Sequence, residues 1–131
     1  RSLCPCPRAG ACGDVTAATD QGRARALWLA ETLGLRAFTL ADVRRASYHA
    51  GAAFASNFLV TLHRAASRLF EDAGAPPEAL VPLMTRTIEN DFELTGPVSR
   101  GDWETIDRHR TALRGSGFEH AYEALVAVTR R

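Results

Sequence analysis

One stretch of the sequence, from Ala46 to Leu62, contains no Asp, Glu or Arg. Charged residues crowd both of its ends, with Asp42 and Arg45 just before it and Arg64 just after it. An uncharged run of this length that is apolar on nearly every side is typical of a helix buried among other helices. We therefore expect this stretch to form the centre of a helical domain.

The pattern extends the predicted helix well beyond the uncharged stretch. Thr39 or Asp42 can cap its start, and Gly74 followed by Pro76 ends it near Ala73, which gives about 30 residues or roughly 45 Å. Apolar residues spaced at i, i+3 and i+4 predict a stripe that faces the core. The stripe comprises Val43, Ser47, Ala50, Phe54, Phe58, Leu62, Ala65 and Leu69.

Shorter elements precede the long helix. Residues 14–19 and 35–40 predict two short strands, and residues 21–33 between them predict an amphipathic helix. The residues of this helix that should face inward are Ala24, Leu27, Trp28 and Ala30. Strand, helix and strand form the skeleton of a βαβ unit. Because two strands alone make a marginal sheet, we expect either further strands from outside this chain or packing on the helices.

Three more helices are predicted after the long one, over residues 77–94, 103–114 and 118–128, with Asp102 as the cap of the second. In the first of them the residues that should face inward are Leu80, Leu83, Met84, Thr87 and Ile88. The predicted fold class is mainly α, a helical bundle around one long central helix, preceded by a small βαβ remnant of a Rossmann-like sheet.

Composition narrows the chemistry that is available. The 131 residues suit one domain, or one domain with a fragment of another. The 16 basic residues are all arginine, and 15 acidic residues leave a net charge of +1. Without lysine there is no Schiff base and no lysine general acid, so proton transfer must use His, Tyr, Asp, Glu or Cys. A charge near zero with no basic run predicts no nucleic-acid partner.

The ends and the cysteines of the chain suggest where it belongs. The uncharged stretch is too polar and slightly too short to span a membrane, so we expect no membrane association and a cytoplasmic location.

The chain begins at Arg1 without signal-peptide or transit-peptide features, and we expect it to start inside a longer protein. Residues 1–13 should be irregular and hold Cys4, Cys6 and Cys12. Structural zinc needs four ligands, so free thiols are predicted here rather than a metal site.

Candidate chemistry lies first on the long helix. At 100° per residue His49 and Ser56 share one face, and Asn57 lies about 80° round from it. Ala52 and Ala53 on that face are small, so a polar ligand could approach His49 and Ser56 closely. Alternatively, the small residues admit a neighbouring helix while His49 and Asn57 satisfy buried hydrogen bonds. The periodicity leaves both interpretations open.

The loop from Leu94 to Asp102 is the second candidate. Arg100 offers a planar fork for a carboxylate or phosphate, Thr95 offers a hydroxyl, and glycines let backbone amides approach a ligand. Alternatively, the loop only joins two helices and Arg100 pairs with Asp102 or Glu104. No G-x-G-x-x-G turn, P-loop, nucleophile elbow or H-E-x-x-H spacing is present.

Four short segments, Tyr48–Ala50, Phe54–Val60, Leu94–Pro97 and Arg100–Asp102, resemble a known family. They are similar to the C-terminal helical domain, a domain of unknown function, of bacterial Rossmann-like NADP-dependent oxidoreductases. These oxidoreductases resemble the pyrroline-carboxylate reductase and 6-phosphogluconate dehydrogenase superfamily. The resemblance spans residues 14–131.

The resemblance implies a division of the chain. Residues 14–40 would end a Rossmann-like domain and residues 41–131 would form a helical dimerisation and substrate domain, while residues 1–13 match nothing in the family. NADP would bind to the half that this chain lacks, so no cofactor is expected on the chain alone and the isolated chain should be inactive. The implied partners are a second copy of the chain and a small-molecule substrate.

Related reductases often protonate their substrate with a lysine on the long helix, and an asparagine lies nearby. Because this chain has no lysine, the resemblance implies His49 as the general acid. The implied substrate-binding residues are Ser56, Asn57, Thr95 and Arg100, with Arg100 holding an acidic group.

Two other functions compete with this one. The first is a non-catalytic helical interaction module whose central helix is a dimer seam, and the second is a cysteine-based metal module. A site requires His49, Asn57 and Arg100 to converge on an accessible cleft, whereas a seam buries them against a partner helix.

Overall fold

The structure is a computed structural model that describes residues 11–130. Helices dominate these residues. In chain order the elements are β1 (Cys12–Asp14), α1 (Asp20–Thr32), β2 (Arg36–Phe38), α2 (Arg45–Ala53), α3 (Leu59–Asp72), α4 (Leu80–Glu89), α5 (Pro97–Arg100), α6 (Trp103–Ala112) and α7 (Glu119–Thr129). Shorter turns lie at Asp42–Arg44 and Pro77–Ala79, both 3-10, and at Phe54–Phe58, which is a π turn. The mainly α fold with a small sheet is therefore confirmed.

β1 and β2 form a parallel pair that is connected through α1. Asp14 lies opposite Phe38, so the carboxyl ends of both strands meet at one edge. The strand predicted over residues 14–19 is wrong in extent, because β1 already ends at Asp14. The chain leaves the sheet there to start α1, whose first turn is capped by Thr19: its Oγ accepts the N–H of Gly22 at 3.1 Å.

The predicted long helix is present in span but is not regular. A 3-10 turn opens it, and the π turn Phe54–Phe58 separates α2 from α3. Neither expected cap is used, since no side chain caps the start of the 3-10 turn or of α2. Asp42 instead accepts a hydrogen bond from Arg45 Nε at 2.9 Å, and Thr39 accepts one from Arg23 at 3.1 Å.

Two compact units make up the chain, one that ends at Asn57 and one that begins at Phe58. The boundary between them falls inside the π turn. The domain boundary predicted between residues 40 and 41 is a different division, and it stays a prediction.

In the first unit, Arg45 fastens the start of α2 to the sheet. Its Nη1 lies 3.1 Å from Asp14 Oδ2, and its Nε lies 2.9 Å from Asp42 Oδ1. The hydrogen bond to Asp42 and the two nearby carboxylates raise the pKa of Arg45. Asp14 Oδ1 also accepts the backbone N–H of Leu40 at 3.0 Å. The first turn of α2 is therefore held at the carboxyl edge of the strand pair.

In the second unit, α6 and α7 contribute to the buried core and are joined by a charged pair. Ile106 of α6 is fully buried and Val126 of α7 is 6% exposed, and Leu80 of α4 and Leu113 complete the buried set among the described residues. Arg110 donates from Nε and Nη2 to the two carboxylate oxygens of Glu123, at 2.6 and 2.9 Å. This charge-assisted pair lowers the pKa of Glu123.

The start of α6 agrees with the sequence. Asp102 caps the helix, as predicted, because its Oδ1 accepts the N–H of Thr105 at 3.1 Å. This bond lowers the pKa of Asp102, and the positive charges of Arg108 and Arg100 add to the effect. The carboxylate is therefore held in its ionised form at the positive end of the helix.

α4 is shorter than the helix predicted over residues 77–94. It ends at Glu89, and Asp91 and Phe92 then adopt positive φ angles of 58° and 59°. This left-handed conformation cannot continue a helix and is uncommon for residues other than glycine. The predicted loop after it also differs, since it contains the short helix α5.

The prediction that the long helix is buried is wrong, because α2, the π turn and α3 contain no buried residue. Val43 is 85% exposed and Phe54 is 70% exposed. An uncharged helix needs apolar neighbours on several sides, and the described residues of each unit supply too few. Other residues expected to face inward are exposed for the same reason: Ala24, Leu27, Trp28, Leu83, Thr87 and Ile88.

Candidate functional site

His49 lies in α2 and is exposed. Within residues 11–130 no group forms a hydrogen bond with its imidazole, so both ring nitrogens are open to a ligand. Within the described residues His49 therefore satisfies no buried hydrogen bond, and a neighbouring helix on this face stays a prediction. A ring of this kind can donate or accept a proton at either nitrogen.

Aromatic contacts connect His49 to the sheet. The ring centroid of Phe38, the last residue of β2, lies 5.9 Å from that of Tyr48, and the Tyr48 centroid lies 5.7 Å from that of His49. Ligands of open parallel sheets bind outside the carboxyl ends of the strands. His49 therefore lies beside the kind of edge at which such ligands bind.

Sequence reasoning assigned no role to Phe38 or Tyr48. The available signals were that Phe38 falls in the second predicted strand and that Tyr48 directly precedes His49. Their contact depends on the start of α2 meeting the strand ends, which the Arg45–Asp14 ion pair arranges. The spacing of residues along the chain does not reveal a contact of this kind.

Ser56 and Asn57 both lie in the π turn and are exposed. Ser56 Oγ donates to the carbonyl of Ala52 at 2.7 Å, and it lies 3.4 Å from Asn57 Oδ1. A π turn inside an α-helix is rare and occurs frequently at functional sites. Because it contains an extra residue, the wheel of 100° per residue does not fix where Ser56 and Asn57 point relative to His49.

Thr95 and Arg100 belong to the second unit, and both are exposed. Thr95 precedes Gly96, which has a φ of 100°, and Arg100 is the last residue of α5. Within the described residues the guanidinium of Arg100 makes no hydrogen bond or close ion pair, and Glu104 pairs with Arg108 instead. The positive charge of Arg100 acts on Asp102 without a direct contact and helps to lower the pKa of that carboxyl.

The predicted site residues thus fall into two sets. His49, Ser56 and Asn57 follow one another along the helical segment of the first unit, and Thr95 and Arg100 flank the start and end of α5 in the second. That the two sets converge on one cleft stays a prediction.

The described residues also bear on the metal and membrane predictions. Within residues 11–130 there is no group of three or more His, Cys, Asp or Glu side chains that could hold a metal ion. Cys12 is exposed in β1, whereas Cys4 and Cys6 lie outside the described residues. In the same part of the chain, no helix combines the length and the apolar character needed to cross a membrane.

Among solved structures, the chain is similar to a protein from Bacteroides fragilis described as a "putative NADP oxidoreductase". The TM-score is 0.75 and the sequence identity is 26%. The match covers 89% of this chain and 48% of that protein, so the chain spans about half the length of the protein that it resembles. No curated protein matches the chain.

A family model described as "Domain of unknown function (DUF2520)" matches residues 12–129, which is nearly all of the described part of the chain. Together with the structural match, it confirms the resemblance to the helical domain of Rossmann-like proteins of the oxidoreductase type. The chain therefore belongs to the DUF2520 family.

Proposed function

We propose that the chain is the C-terminal dimerisation and substrate-binding domain of an NADP-dependent oxidoreductase. The observation that carries the proposal is the match at 26% identity over 89% of this chain to the Bacteroides fragilis protein. Because the chain spans 48% of that protein, the other half is the place for a cofactor-binding domain. The parallel β1–β2 pair would then complete the sheet of that domain.

The chain's own residues do not fit the pyrophosphate of NADP. A dinucleotide site needs a glycine-rich turn between a strand and the helix that follows it. The connection from β1 to α1, residues 15–19, contains no glycine. Asp20 then opens α1 with a negative charge at the point where a phosphate would lie. We therefore assign NADP binding to a domain outside this chain.

Calorimetric titration of this chain with NADP and NADPH tests that assignment. We expect no saturable heat at millimolar nucleotide, whereas a longer protein that also carries the preceding domain should bind in the micromolar range. A low-micromolar affinity for the chain alone would contradict the proposed division.

In the proposed enzyme, His49 is the general acid that protonates the reduced carbonyl or imine. Its exposed imidazole without a partner in the described residues supports this role, as does its proximity to the carboxyl edge of the sheet through Tyr48 and Phe38. This chain contains no lysine that could compete for the role. A positioned general acid contributes about 10²- to 10⁴-fold to a rate.

The proposed substrate-binding residues differ in what they can offer. Ser56 gives its hydroxyl proton to the carbonyl of Ala52, so its oxygen is left to accept a hydrogen bond from the substrate, and Asn57 lies beside it. Thr95 and Arg100 provide a hydroxyl and a guanidinium fork, which suits an acidic group of the substrate.

The proposed homodimer forms through the helical unit. α4 exposes Val81 and Ile88 at 57% and 58%, and helical periodicity places these two residues on one face. Exposed apolar side chains that share a face suit an interaction surface, and the same helix in two copies can pair across a two-fold axis. The same exposed residues favour the second candidate function, a non-catalytic interaction module, so turnover rather than assembly separates the two.

Sedimentation velocity measures the proposed assembly. We expect a species of twice the chain mass at micromolar concentration, and Ile88→Glu should shift it to the monomer. Arg86→Gln, a change of a charged residue on the same helix, is the matched control and should leave the dimer intact. A wild-type chain that stays monomeric at high micromolar concentration would contradict the dimer.

A further inference from the structure

The second unit contains an open cavity of about 750 Å³ between the ends of α3 and α6 and one side of α7. Ligand pockets usually measure about 300–1,000 Å³. The apolar part of its lining comprises Leu69, Phe70, Ala73, Ala112 and Leu113. No residue assigned above to catalysis or substrate binding lines it, so it is a separate candidate site that suits a ligand with an apolar body.

The lining contains one acidic and one basic side chain that make no hydrogen bond or ion pair with the described residues. Asp72 is the last residue of α3, and Arg114 lies just after α6. Within the described residues, neither side chain makes an ion pair or a hydrogen bond, whereas Arg110 nearby is fully engaged with Glu123 and Asp107. The cavity therefore offers a ligand one free carboxylate and one free guanidinium.

The end of one helix adds to the negative field beside Asp72, which is the last residue of α3 and lines the cavity. The C-terminal end of a helix carries a partial negative charge. Gly74, with a φ angle of 74°, turns the chain away shortly after it. An ammonium group is favoured near this end of α3.

His109, Ser116 and Tyr122 contribute the remaining polar side chains of the lining. His109 Nδ1 lies 2.8 Å from the Tyr122 hydroxyl, and the two rings meet edge to face. Burial raises the pKa of Tyr122, so the phenol keeps its proton and can donate it to Nδ1. A neutral imidazole bound in this way carries its own proton on Nε2, where it can be donated to a carboxylate.

We propose that this cavity binds an amino acid with an apolar side chain in its zwitterionic form. Asp72 and the end of α3 hold the ammonium group, and Arg114 and His109 Nε2 hold the carboxylate. The side chain of the ligand lies against Leu69 and Phe70. This site goes beyond the oxidoreductase function and does not depend on it.

Calorimetric titration of the chain with L-valine, L-leucine and L-phenylalanine tests the proposal. At least one of the three should bind saturably. For the amino acid that binds best, two analogues are compared: the amine that lacks the carboxylate and the acid that lacks the ammonium group. Each should bind at least about tenfold more weakly than the amino acid, because each leaves one charged group of the cavity unpaired. For leucine these analogues are isoamylamine and 4-methylpentanoate.

Two variants identify the groups responsible. Asp72→Asn and Arg114→Gln should each weaken binding about tenfold without disturbing the fold, since neither side chain makes a bond in the described residues. Arg108→Gln, which alters an exposed arginine on α6 outside this cavity, is the matched control and should bind as the wild type does. Circular dichroism and thermal unfolding establish that each variant is folded.

Three results would overturn the proposal. They are the absence of saturable heat with all three amino acids, equal affinity for the intact amino acid and its truncated analogues, and wild-type affinity in both variants. None of them bears on the role of His49, which lies in the other unit.

Discussion

The α6–α7 pair and the segment formed by α2 and the π turn have opposite characters. α6 carries four charged residues and α7 carries two, yet the pair buries Ile106 and Val126 and is joined by the ion pair between Arg110 and Glu123. α2 and the π turn contain no charge after Arg45, yet they bury no residue. An apolar composition therefore predicts that a helix packs against other elements, whereas only the structure shows which elements those are.

The contrast also separates stability from candidate chemistry. In the α6–α7 pair most polar groups are used in contacts within the protein, such as the capping bond from Thr105 to Asp102. On α2 the imidazole of His49 touches the ring of Tyr48 but makes no hydrogen bond within the described residues. A helix whose polar groups bond to other groups of the protein stabilises the unit. A helix whose polar groups have no such partner can use them to bind a ligand.

The largest expected effect tests which of the two regions holds the fold. Ile106→Ala leaves a cavity at a fully buried position and should lower the free energy of unfolding by about 2–5 kcal/mol. Phe54→Ala removes a larger side chain that is 70% exposed and should change it by less than about 1 kcal/mol. Urea denaturation followed by circular dichroism gives both values. Equal losses of unfolding free energy in the two variants would contradict the difference between the two regions.

A smaller effect, and one that depends on pH, is expected at the start of α6. The bond from the Thr105 N–H lowers the pKa of Asp102. Its contribution is therefore complete above the ordinary carboxyl pKa of about 3.9 and is lost as the pH falls through the lowered value. The lowered pKa of Glu123 acts in the same direction.

Asp102→Asn keeps a capping oxygen but cannot titrate. Its thermal midpoint should therefore fall less steeply than that of the wild type as the pH drops below about 4. Asp102→Ala should lower the midpoint at neutral pH as well, because it leaves the N–H of Thr105 without its acceptor. Parallel pH profiles for the wild type and Asp102→Asn would contradict a stabilising ionised cap.

The smallest effect is expected between α6 and α7. Tyr122→Phe removes the hydroxyl that lies 2.8 Å from His109 Nδ1 while keeping the ring, so the free energy of unfolding should fall by about 1 kcal/mol or less. His120→Ala, a histidine outside that pair, serves as the control. A loss as large as that of Ile106→Ala would show that the polar contact, and not the buried isoleucine, dominates this region.

Local signals predicted a good part of the fold. Two short strand patterns on either side of a helical pattern predicted a strand, a helix and a strand at the start of the chain. These elements are present as β1, α1 and β2. Asp102 was predicted as a cap and is one, and Gly74, expected to end the long helix, follows α3 with a φ of 74°. These features depend on a few neighbouring residues, and their signals are correspondingly direct.

The features that were missed depend on contacts between distant residues or lack a sequence marker. The π turn at Phe54–Phe58 contains neither proline nor glycine, so nothing in the sequence marks the interruption. Asp91 and Phe92 end α4 in a conformation that such residues rarely adopt. For the site, His49 and its neighbours on the helix could be named from the residue types, but the contact of Tyr48 with the strand end could not.

The measurement that tests the central claim most directly is the turnover of the longer protein that carries this chain together with its proposed cofactor domain. His49→Gln should lower kcat by about 10²- to 10⁴-fold with NADPH affinity unchanged, because a general acid acts on the chemical step. His120→Gln, which changes an exposed histidine of α7, should turn over as the wild type does. Unchanged turnover in His49→Gln would contradict the claim that His49 of α2 is the proton donor.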